Sequence, residues 1–352
     1  MSTDTPDGTD ARKPVLEVEG LQQHFEQSSS LLDLLPHRSR NTVHAVDGVS
    51  LSLESNEVKG IIGESGCGKT TLLLTLMGLH DPTGGNFYFD GTDISTFSRA
   101  DWKEFRSRVQ VIFQDPFNSL DPKLTVREAL MEPLRIHDRE RKDERVHDVL
   151  EQVELHPPES YLDRFPGQLS GGELQRVCIA RALILEPDVI LADEPVSMLD
   201  VSTQAAILRL LSDLVEETGV GIIYVSHDIS TVSYICDEIN VMYLGRLIES
   251  GPTRQVLDDP KHPYTQALIG AVPIPDPNHH RERTELEGAP SDPIDVGEGC
   301  RFRDRCPERM DICEITPDVV TEDEATGHEV ACHLYYDHDL EGDEEVTDDE
   351  AD

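Results

Sequence analysis

The chain of 352 residues has no long hydrophobic run. Its longest apolar stretches, such as VILA at 189–192 and GIIYV at 221–225, have the length of a buried strand. A helix that crosses a bilayer needs about 20 apolar residues, so no membrane-spanning helix is predicted. The first ten residues, MSTDTPDGTD, lack the basic and apolar regions of a secretory signal. We therefore expect a cytoplasmic protein that reaches a membrane only through a partner.

Basic residues are scarce. The chain has 30 Lys and Arg and 70 Asp and Glu, which gives a formal net charge of −40. This deficit argues against nucleic-acid binding, which usually needs a basic face. Self-repulsion of such a charge destabilises a compact chain at low salt, and the screening length falls to about 3 Å at 1 M ionic strength. Since acids occur along the whole chain, the composition indicates a halophile, as in salt-adapted archaea. The alternative is a mesophilic protein with an acidic tail.

The chain divides into segments of different composition. Residues 1–13 are expected to be disordered, and the acidic residues 337–352 form a solvated tail. Residues 14–255 alternate strand and helix patterns, apart from a predicted surface loop at 27–41, which predicts an α/β fold with a mostly parallel sheet. Residues 256–336 are rich in Pro and hold four of the seven Cys, and they are predicted to form a smaller C-terminal unit.

Residues 63–70, GESGCGKT, match the phosphate-binding pattern G-x-x-x-x-G-K-[ST]. The three glycines let backbone N–H groups curl around phosphate oxygens, and the following helix presents its N-terminus to the same charge. Lys69 adds a cation at the β- and γ-phosphates, and Thr70 offers a hydroxyl to Mg²⁺. An apolar strand precedes the motif and an apolar helix follows it, which argues against a chance glycine loop. The predicted nucleotide contacts are Gly63, Glu64, Ser65, Gly66, Cys67, Gly68, Lys69, Thr70 and Thr71.

A second acidic site follows the apolar strand in VILADEP at 189–195. Asp193 is placed to hold Mg²⁺ through water, and Glu194 is placed to polarise an attacking water as general base. Alone, two acids could equally be an ordinary strand end. Together with the phosphate loop they favour nucleotide hydrolysis.

Further motifs carry a resemblance to a known family. LSGGE at 169–173, followed by LQR, resembles the signature motif of ABC ATPases and precedes the acidic strand, as it does in that family. Gln114 in VIFQDP resembles the Q-loop glutamine, SMLD at 197–200 resembles the D-loop, and His227 in VSHD resembles the switch histidine. Phe25 lies where the family stacks an aromatic ring on adenine. The resemblance covers about residues 15–255.

This resemblance implies a P-loop NTPase fold with a helical subdomain at about 115–180, and ATP and Mg²⁺ as ligands. Glu173 stands where the family usually has glutamine, and Met198 where it usually has alanine. The implied catalytic residues are Glu194, His227 and Gln114. The implied Mg²⁺ ligands are Thr70, Gln114 and Asp193. The further residues implied to contact nucleotide are Phe25, Ser170, Gly171, Gly172, Glu173 and Asp200.

The family also implies a dimer in which two ATP molecules lie between two cassettes. Ser170 and the N–H groups of Gly171 and Gly172 then bind the γ-phosphate held by the other cassette. Because this chain has one cassette, it requires a second ABC ATPase subunit, either a copy of itself or a sister chain. Its own Glu194 and His227 imply a site competent for hydrolysis.

HPYTQALIGAVP at 262–273 resembles the C-terminal region of ATPase subunits of oligopeptide and dipeptide importers. The resemblance implies a subunit on the cytoplasmic face of the cell membrane, with two transmembrane permease subunits and an extracellular solute-binding protein. Importers of nickel and of oligosaccharides share such motifs, so nickel and oligosaccharides remain alternatives to peptide as the transported solute. A soluble ABC ATPase of translation or DNA repair is a further alternative, although the second cassette or long coiled coil of those proteins is absent. A metabolic P-loop kinase is a third alternative, but the signature motif and the switch histidine would have no function in it.

Four cysteines in the C-terminal unit have the spacing C-x5-C-x6-C-x18-C. Disulfides are disfavoured in the cytosol, so thiolate ligation is predicted. Four thiolates suit a 4Fe–4S cluster or tetrahedral Zn²⁺, and uncoordinated thiols are the third alternative. The segment resembles one that holds a 4Fe–4S cluster in peptide-importer ATPases, and we expect a structural role whose loss leaves a distant phosphate loop able to bind ATP. The predicted ligands are Cys300, Cys306, Cys313 and Cys332.

Overall fold

The computed structural model describes part of the chain, namely residues 13–27, 41–271, 294, 296–323 and 327–336. The predicted disordered N-terminus up to residue 12, most of the predicted loop at 27–41 and the acidic tail 337–352 lie outside the described residues.

Strands and helices alternate along the chain, as the sequence patterns predict. The strands are β1 (Leu16–Gln27), β2 (Asn41–Leu53), β3 (Val58–Ile62), β4 (Gly84–Phe89), β5 (Thr92–Asp93), β6 (Val109–Ile112), β7 (Val189–Asp193), β8 (Gly221–Ser226), β9 (Glu238–Tyr243), β10 (Arg246–Pro252), β11 (Val320–Asp323) and β12 (His328–Val330). The helices are α1 (Lys69–Leu76), α2 (Arg99–Arg108), α3 (Pro116–Ser119), α4 (Val126–Ile136), α5 (Lys142–Gln152), α6 (Glu159–Leu162), α7 (Gly171–Leu183), α8 (Val201–Thr218), α9 (Ile229–Ile235), α10 (Thr253–Asp258) and α11 (Pro263–Gly270). Within the described ranges, none of these helices combines the length and the apolarity that a membrane span requires.

Two sheets organise the described residues. The larger sheet has the order β11–β12–β10–β9–β3–β8–β7–β6, and its middle strands β9, β3, β8, β7 and β6 are parallel. Strands β10, β12 and β11 extend one edge in antiparallel pairs. The smaller antiparallel sheet has the order β2–β1–β4–β5, and its β4–β5 pair is a hairpin. The predicted α/β fold with a parallel sheet is therefore confirmed.

The core lies on both faces of the larger sheet. On β8, Ile222 and Tyr224 pack in a cluster with residues of α4, α5 and α7–α9. The alternate residues Ile223 and Val225 pack in a second cluster with α1 and the smaller sheet. Burial on both faces explains why these strands are continuous apolar runs in the sequence.

The C-terminal residues add to the same sheet and core. Strand β12 pairs with β10, with Val330 opposite Glu249, and the Ala331 N–H donates to the Ile248 carbonyl at 2.8 Å. Tyr264 and Phe302 are fully buried in the cluster that also contains the large-sheet strands. This packing places the four-cysteine segment beside the carboxyl ends of the parallel strands.

Candidate functional site

The phosphate loop, residues 63–70, connects β3 to α1 in a backbone conformation that only glycine allows at two positions. Gly63 has φ 156°, and a Cβ atom there would lie 2.2 Å from the Met242 carbonyl oxygen. Gly68 has φ 112°, and its Cβ would lie 2.0 Å from the Ala45 carbonyl oxygen. Close packing against the neighbouring strands therefore determines the curvature of the loop.

Lys69 begins α1, and its side chain is buried inside the loop. Its Nζ donates to the carbonyl oxygens of Gly63 at 2.7 Å and Glu64 at 2.9 Å. The ammonium group is thus held at a helix N-terminus, where the cation and the backbone N–H groups both attract an anion.

A cavity of about 770 Å³ opens over the phosphate loop. Its volume lies in the range of small-molecule and cofactor sites. Residues predicted from five separate motifs meet here, although they are up to 202 positions apart in the chain, from Phe25 to His227. The lining residues are Phe25, Val43, Ala45, Ser65, Gly66, Gly68, Lys69, Thr70, Thr71, Gln114, Asp193, Glu194, His227 and Ile294.

Glu194 follows the last residue of β7, and both oxygens of its carboxylate are held. Gln114 Nε2 donates to Oε2 at 2.8 Å, and His227 Nδ1 donates to Oε1 at 2.7 Å. The histidine must be the donor here, because an ionised carboxylate only accepts hydrogen bonds. The backbone of Glu194 has φ 44°, and its N–H donates to the Val225 carbonyl at 2.9 Å. These contacts hold the carboxylate at the cavity wall with its side chain 15% exposed.

Asp193 is the last residue of β7, and it lines the cavity together with Thr70. Burial raises the pKa of its carboxyl, the charge of Glu194 raises it further, and Lys69 opposes the change. A carboxylate, a hydroxyl and the Gln114 amide therefore line one cavity. Hard oxygen donors of this kind are the ligands that Mg²⁺ prefers.

Phe25 lies at the end of the cavity formed by the smaller sheet. It is opposite Val43 in the β1–β2 ladder, and its ring meets the His80 ring edge-on with centroids 5.4 Å apart. Val43 and Ala45 add apolar surface to the cavity, and they are not among the site residues predicted from the sequence. Val43 and Ala45 alternate with His44 along β2, so both side chains lie on one face of the strand. This alternation is the sequence signal that could have identified them.

The signature segment, residues 169–173, forms the N-terminus of α7. Ser170 caps the helix, since the Glu173 N–H donates to Ser170 Oγ at 3.3 Å. The Glu173 carboxylate accepts from the Ser170 N–H at 2.8 Å and from its hydroxyl at 2.7 Å. These hydrogen bonds lower the pKa of Glu173. The unusual glutamate therefore completes a capping box.

Asp200 caps the neighbouring helix α8 in a similar way. Its carboxylate accepts from the N–H groups of Ser202 and Thr203, both at 3.1 Å, and from their hydroxyls, and these bonds lower its pKa. A Cβ on Gly172 would lie 2.7 Å from Thr203 Cγ2, so only glycine allows the two helix starts to pack this closely. Neither Asp200 nor any residue of the signature segment belongs to the described residues that line the cavity.

The four predicted cysteine ligands lie in one region. The Cys300 N–H donates to the Cys313 carbonyl at 2.9 Å. Burial raises the pKa of Cys332 to about 11; a hydrogen bond from the Leu334 backbone opposes the change, and the thiols of the other three cysteines add to it. All four cysteines are described, and no three of their sulfur atoms lie within 4.8 Å of one another.

The phosphate loop was expected to lie far from the cysteines, and that expectation is wrong. Arg305 lies between Cys300 and Cys306, and its guanidinium donates to both carboxylate oxygens of Glu64, at 2.8 and 3.1 Å. The Glu64 N–H also donates to the Tyr264 hydroxyl at 2.8 Å. Because the C-terminal residues join the sheet edge beside the loop, the two regions are in direct contact.

Fold and site together define a P-loop ATPase of the ABC cassette class. A family model described as "ABC transporter" matches residues 46–197, and one described as "Oligopeptide/dipeptide transporter, C-terminal region" matches residues 248–313. Over most of its length, therefore, the chain belongs to the ATP-binding proteins of the oligopeptide and dipeptide ABC transporter family. It hydrolyses ATP as the ATP-binding subunit of a transporter of that family.

Individual relatives agree with this assignment. A Brucella ovis protein named as a peptide import ATP-binding protein is 44% identical over 322 residues, which cover 91% of this chain and 97% of the relative. The oligopeptide transport ATP-binding protein AppF of Bacillus subtilis is 43% identical over 332 residues, covering 92% and 98%. The bacterial ABC transporter cassette MJ0796 has dimeric structures, one in a post-hydrolysis state bound to ADP and phosphate. It is 30% identical with a TM-score of 0.58, covering 68% of this chain and 99% of the cassette.

Proposed function

We propose that this subunit powers the import of oligopeptides or dipeptides by hydrolysing ATP in the cavity over the phosphate loop. The observation that carries the proposal is the fixed Glu194 carboxylate, held by Gln114 and His227 beside the buried Lys69. Peptides are the proposed solute because both relatives described above are named for peptide transport and because the C-terminal region matches that family.

ATP is proposed to lie with its phosphates on the loop and its adenine against Phe25. The loop N–H groups and the N-terminus of α1 bind the phosphate oxygens, and Lys69 adds its charge at the β- and γ-phosphates. Water attacks the γ-phosphorus, the bond from that phosphorus to the bridging oxygen breaks, and ADP leaves. Glu194 accepts a proton from the attacking water, while Gln114 and His227 keep its carboxylate in place.

Mg²⁺ fits the oxygen donors that line the cavity, and Thr70, Asp193 and Gln114 would hold it. When bound, it would neutralise negative charge on the β- and γ-phosphates. Asp193 and Glu194 are adjacent carboxylates in a partly buried site, an arrangement that a cation stabilises.

A second cassette completes the proposed site. Ser170 caps a helix that begins outside the cavity of its own chain, and the N–H groups of Gly171 and Gly172 in its first turn are proposed to bind the γ-phosphate of a partner. Asp200 begins the adjacent helix and is proposed to lie at the same interface. The dimeric structures of the MJ0796 cassette support the pairing of two cassettes. The mate is a second copy of the chain or a sister ATPase.

The assembly is proposed to contain two transmembrane permease subunits and an extracellular solute-binding protein, with this subunit on the cytoplasmic face of the cell membrane. The test is solute uptake into vesicles that contain the whole assembly. ATP supplied at this subunit should drive accumulation of labelled di- or oligopeptide. Accumulation of nickel or an oligosaccharide without peptide would instead support a related importer. Full ATPase activity that needs no membrane subunit would support a soluble ATPase.

Four thiolates suit either a 4Fe–4S cluster or tetrahedral zinc. Tetrahedral zinc binds thiolates at about 2.3 Å, which requires sulfur atoms within about 4 Å of one another. No three of these sulfurs lie within 4.8 Å of one another, so the thiols as placed do not form a closed zinc site. We propose that the residues Cys300, Cys306, Cys313 and Cys332 hold the cluster as a structural group.

Anaerobically purified protein should therefore be brown and contain about four irons per chain. Cys306→Ser should lower the iron content, whereas Cys178→Ser, at a buried cysteine outside the cluster, should not change it. Iron and zinc are measured by metal analysis of both variants. One zinc per chain would favour the zinc alternative, and a chain with neither metal would contradict both.

We also propose that the acidic composition is an adaptation to high salt. The melting temperature should rise by several degrees from about 0.2 M to about 3 M KCl, because screening relieves repulsion among the carboxylates. Deletion of the tail 337–352 removes ten acidic residues and leaves a net charge of −30, so the rise should persist. A melting temperature that falls or stays constant with KCl would contradict the adaptation, and a rise abolished by the deletion would favour the acidic-tail alternative.

A further inference from the structure

Glu64 lies within the phosphate loop, but it faces the C-terminal unit and does not line the cavity. The Arg305 guanidinium holds both oxygens of its carboxylate, and Tyr264 holds its backbone N–H. A paired guanidinium and carboxylate with two parallel hydrogen bonds is among the strongest and most directional contacts in proteins. The loop is therefore held from the side opposite to the nucleotide.

Arg305 is itself held in place by its surroundings. Its side chain is 9% exposed, and the guanidinium carbon lies 5.9 Å from the centre of the Tyr243 ring and 6.0 Å from that of Phe302. Removing one member of such a poorly solvated pair leaves the other charge without a partner, which makes the contact costly to break.

Tyr264 is positioned by a second, buried network. Burial lowers the pKa of His262 to about 3, so the imidazole is neutral, and its Nδ1 accepts from the Tyr264 N–H at 3.0 Å. The fully buried pair of Glu249 and His328 lies beneath this turn, and Glu249 accepts from the His262 N–H at 2.8 Å. The HPY motif, residues 262–264, thus holds the Tyr264 hydroxyl in place as the acceptor for the Glu64 N–H of the phosphate loop.

Arg301 supports the loop by a second route. Its guanidinium donates to the Leu244 carbonyl and to the carboxylate of Asp47. The next residue, Gly245, donates its N–H to the Cys67 carbonyl in the phosphate loop at 2.8 Å and accepts from the Asp47 N–H at 2.8 Å. The turn between β9 and β10 therefore connects Arg301 to the loop.

Both arginines belong to the short segment that runs from Cys300 to Cys306, which we name the clamp segment (residues 300–306). We propose that the clamp segment positions the phosphate loop for nucleotide binding, with Arg305 acting on Glu64 directly and Arg301 acting through the 244–245 turn. Arg301 and Arg305 are positioning residues, since neither lines the cavity. The inference rests on the proposed nucleotide binding at residues 63–70.

If the clamp segment positions the phosphate loop, the affinity for nucleotide depends on the contacts of the clamp segment. A phosphate loop whose Glu64 is released from Arg305 samples additional conformations, and the apparent affinity falls with the fraction that remains competent to bind. Because the segment begins and ends at cysteine residues of the four-thiol region, a change in that region that displaces Arg301 or Arg305 should also loosen the phosphate loop.

The test is a double-mutant cycle on the affinity of the full-length chain for a fluorescent ATP analogue. Arg305→Gln and Glu64→Gln should each raise Kd about tenfold, and the double variant should be no weaker than either single variant. Arg305→Lys, which keeps the charge but not the two parallel bonds, should recover part of the affinity. Arg303→Gln is the matched control, because Arg303 lies in the same segment and contacts Glu298 and Glu314 instead of the loop.

Melting temperatures of all variants show that each chain is folded. Wild-type affinity in Arg305→Gln, an equal loss in Arg303→Gln, or additive losses in the double variant would each overturn the inference. If the wild-type chain itself did not bind the analogue, the proposed nucleotide site would fall together with the inference. If the wild-type chain binds the analogue and one of those three results is found for the variants, the role of the clamp segment is overturned while the nucleotide site stands.

Discussion

Replacing Glu194 with glutamine should lower the rate of ATP hydrolysis by about a thousandfold while ATP binding stays close to wild type. The change removes the group that accepts the proton, which contributes on the order of 10²–10⁴ to such rates. It leaves the phosphate loop and Lys69 in place, and the glutamine keeps the size of the side chain. The measurements are phosphate release and nucleotide affinity, both made with a hydrolysis-deficient mate so that only this site is observed.

The same variant should accumulate as an ATP-bound dimer, since binding persists and hydrolysis no longer separates the cassettes. Glu216→Gln, an exposed glutamate on α8, is the matched control and should behave as wild type. Full hydrolysis by Glu194→Gln beside the inactive mate would remove the proposed role of this residue.

Lys69→Ala should raise the Kd for ATP by roughly a hundredfold, the size expected for loss of hydrogen bonds to a charged phosphate. Two effects combine in this variant. The cation at the phosphates disappears, and the loop loses the internal bonds from Nζ to the Gly63 and Glu64 carbonyls. Equilibrium binding of a fluorescent nucleotide measures the change, with Lys123→Ala at an exposed position as the control.

An unchanged affinity in Lys69→Ala would show that the phosphate loop does not bind nucleotide in the proposed way. A loss that also appeared in Lys123→Ala would indicate general electrostatic attraction rather than a specific contact.

The central fold and most of the cavity followed from local sequence patterns. A phosphate loop requires glycines at positions of positive φ or close approach, and Gly63 and Gly68 meet both conditions. Buried parallel strands require continuous apolar runs, and β7 and β8 have them. The family resemblance then pointed to Gln114 and His227, which the fold brings to the same carboxylate from different strands.

Contacts between the two ends of the chain did not follow from the sequence. Glu64 and Arg305 are 241 positions apart, and no local pattern distinguishes their pairing from the many other acid and base combinations of this charged chain. The pairing depends on β12 joining β10, a contact between short strands with a weak pattern of their own. HPY at 262–264 was recognised as a motif, but its contact with the phosphate loop appears only in three dimensions.

The proposed function is tested by the rate of phosphate release by the complete assembly, with and without peptide-loaded binding protein. Peptide should stimulate hydrolysis severalfold, and an assembly containing Lys69→Ala in this subunit should lose most of the stimulated rate. Hydrolysis that responds neither to peptide nor to the presence of the membrane subunits would contradict a role in peptide import.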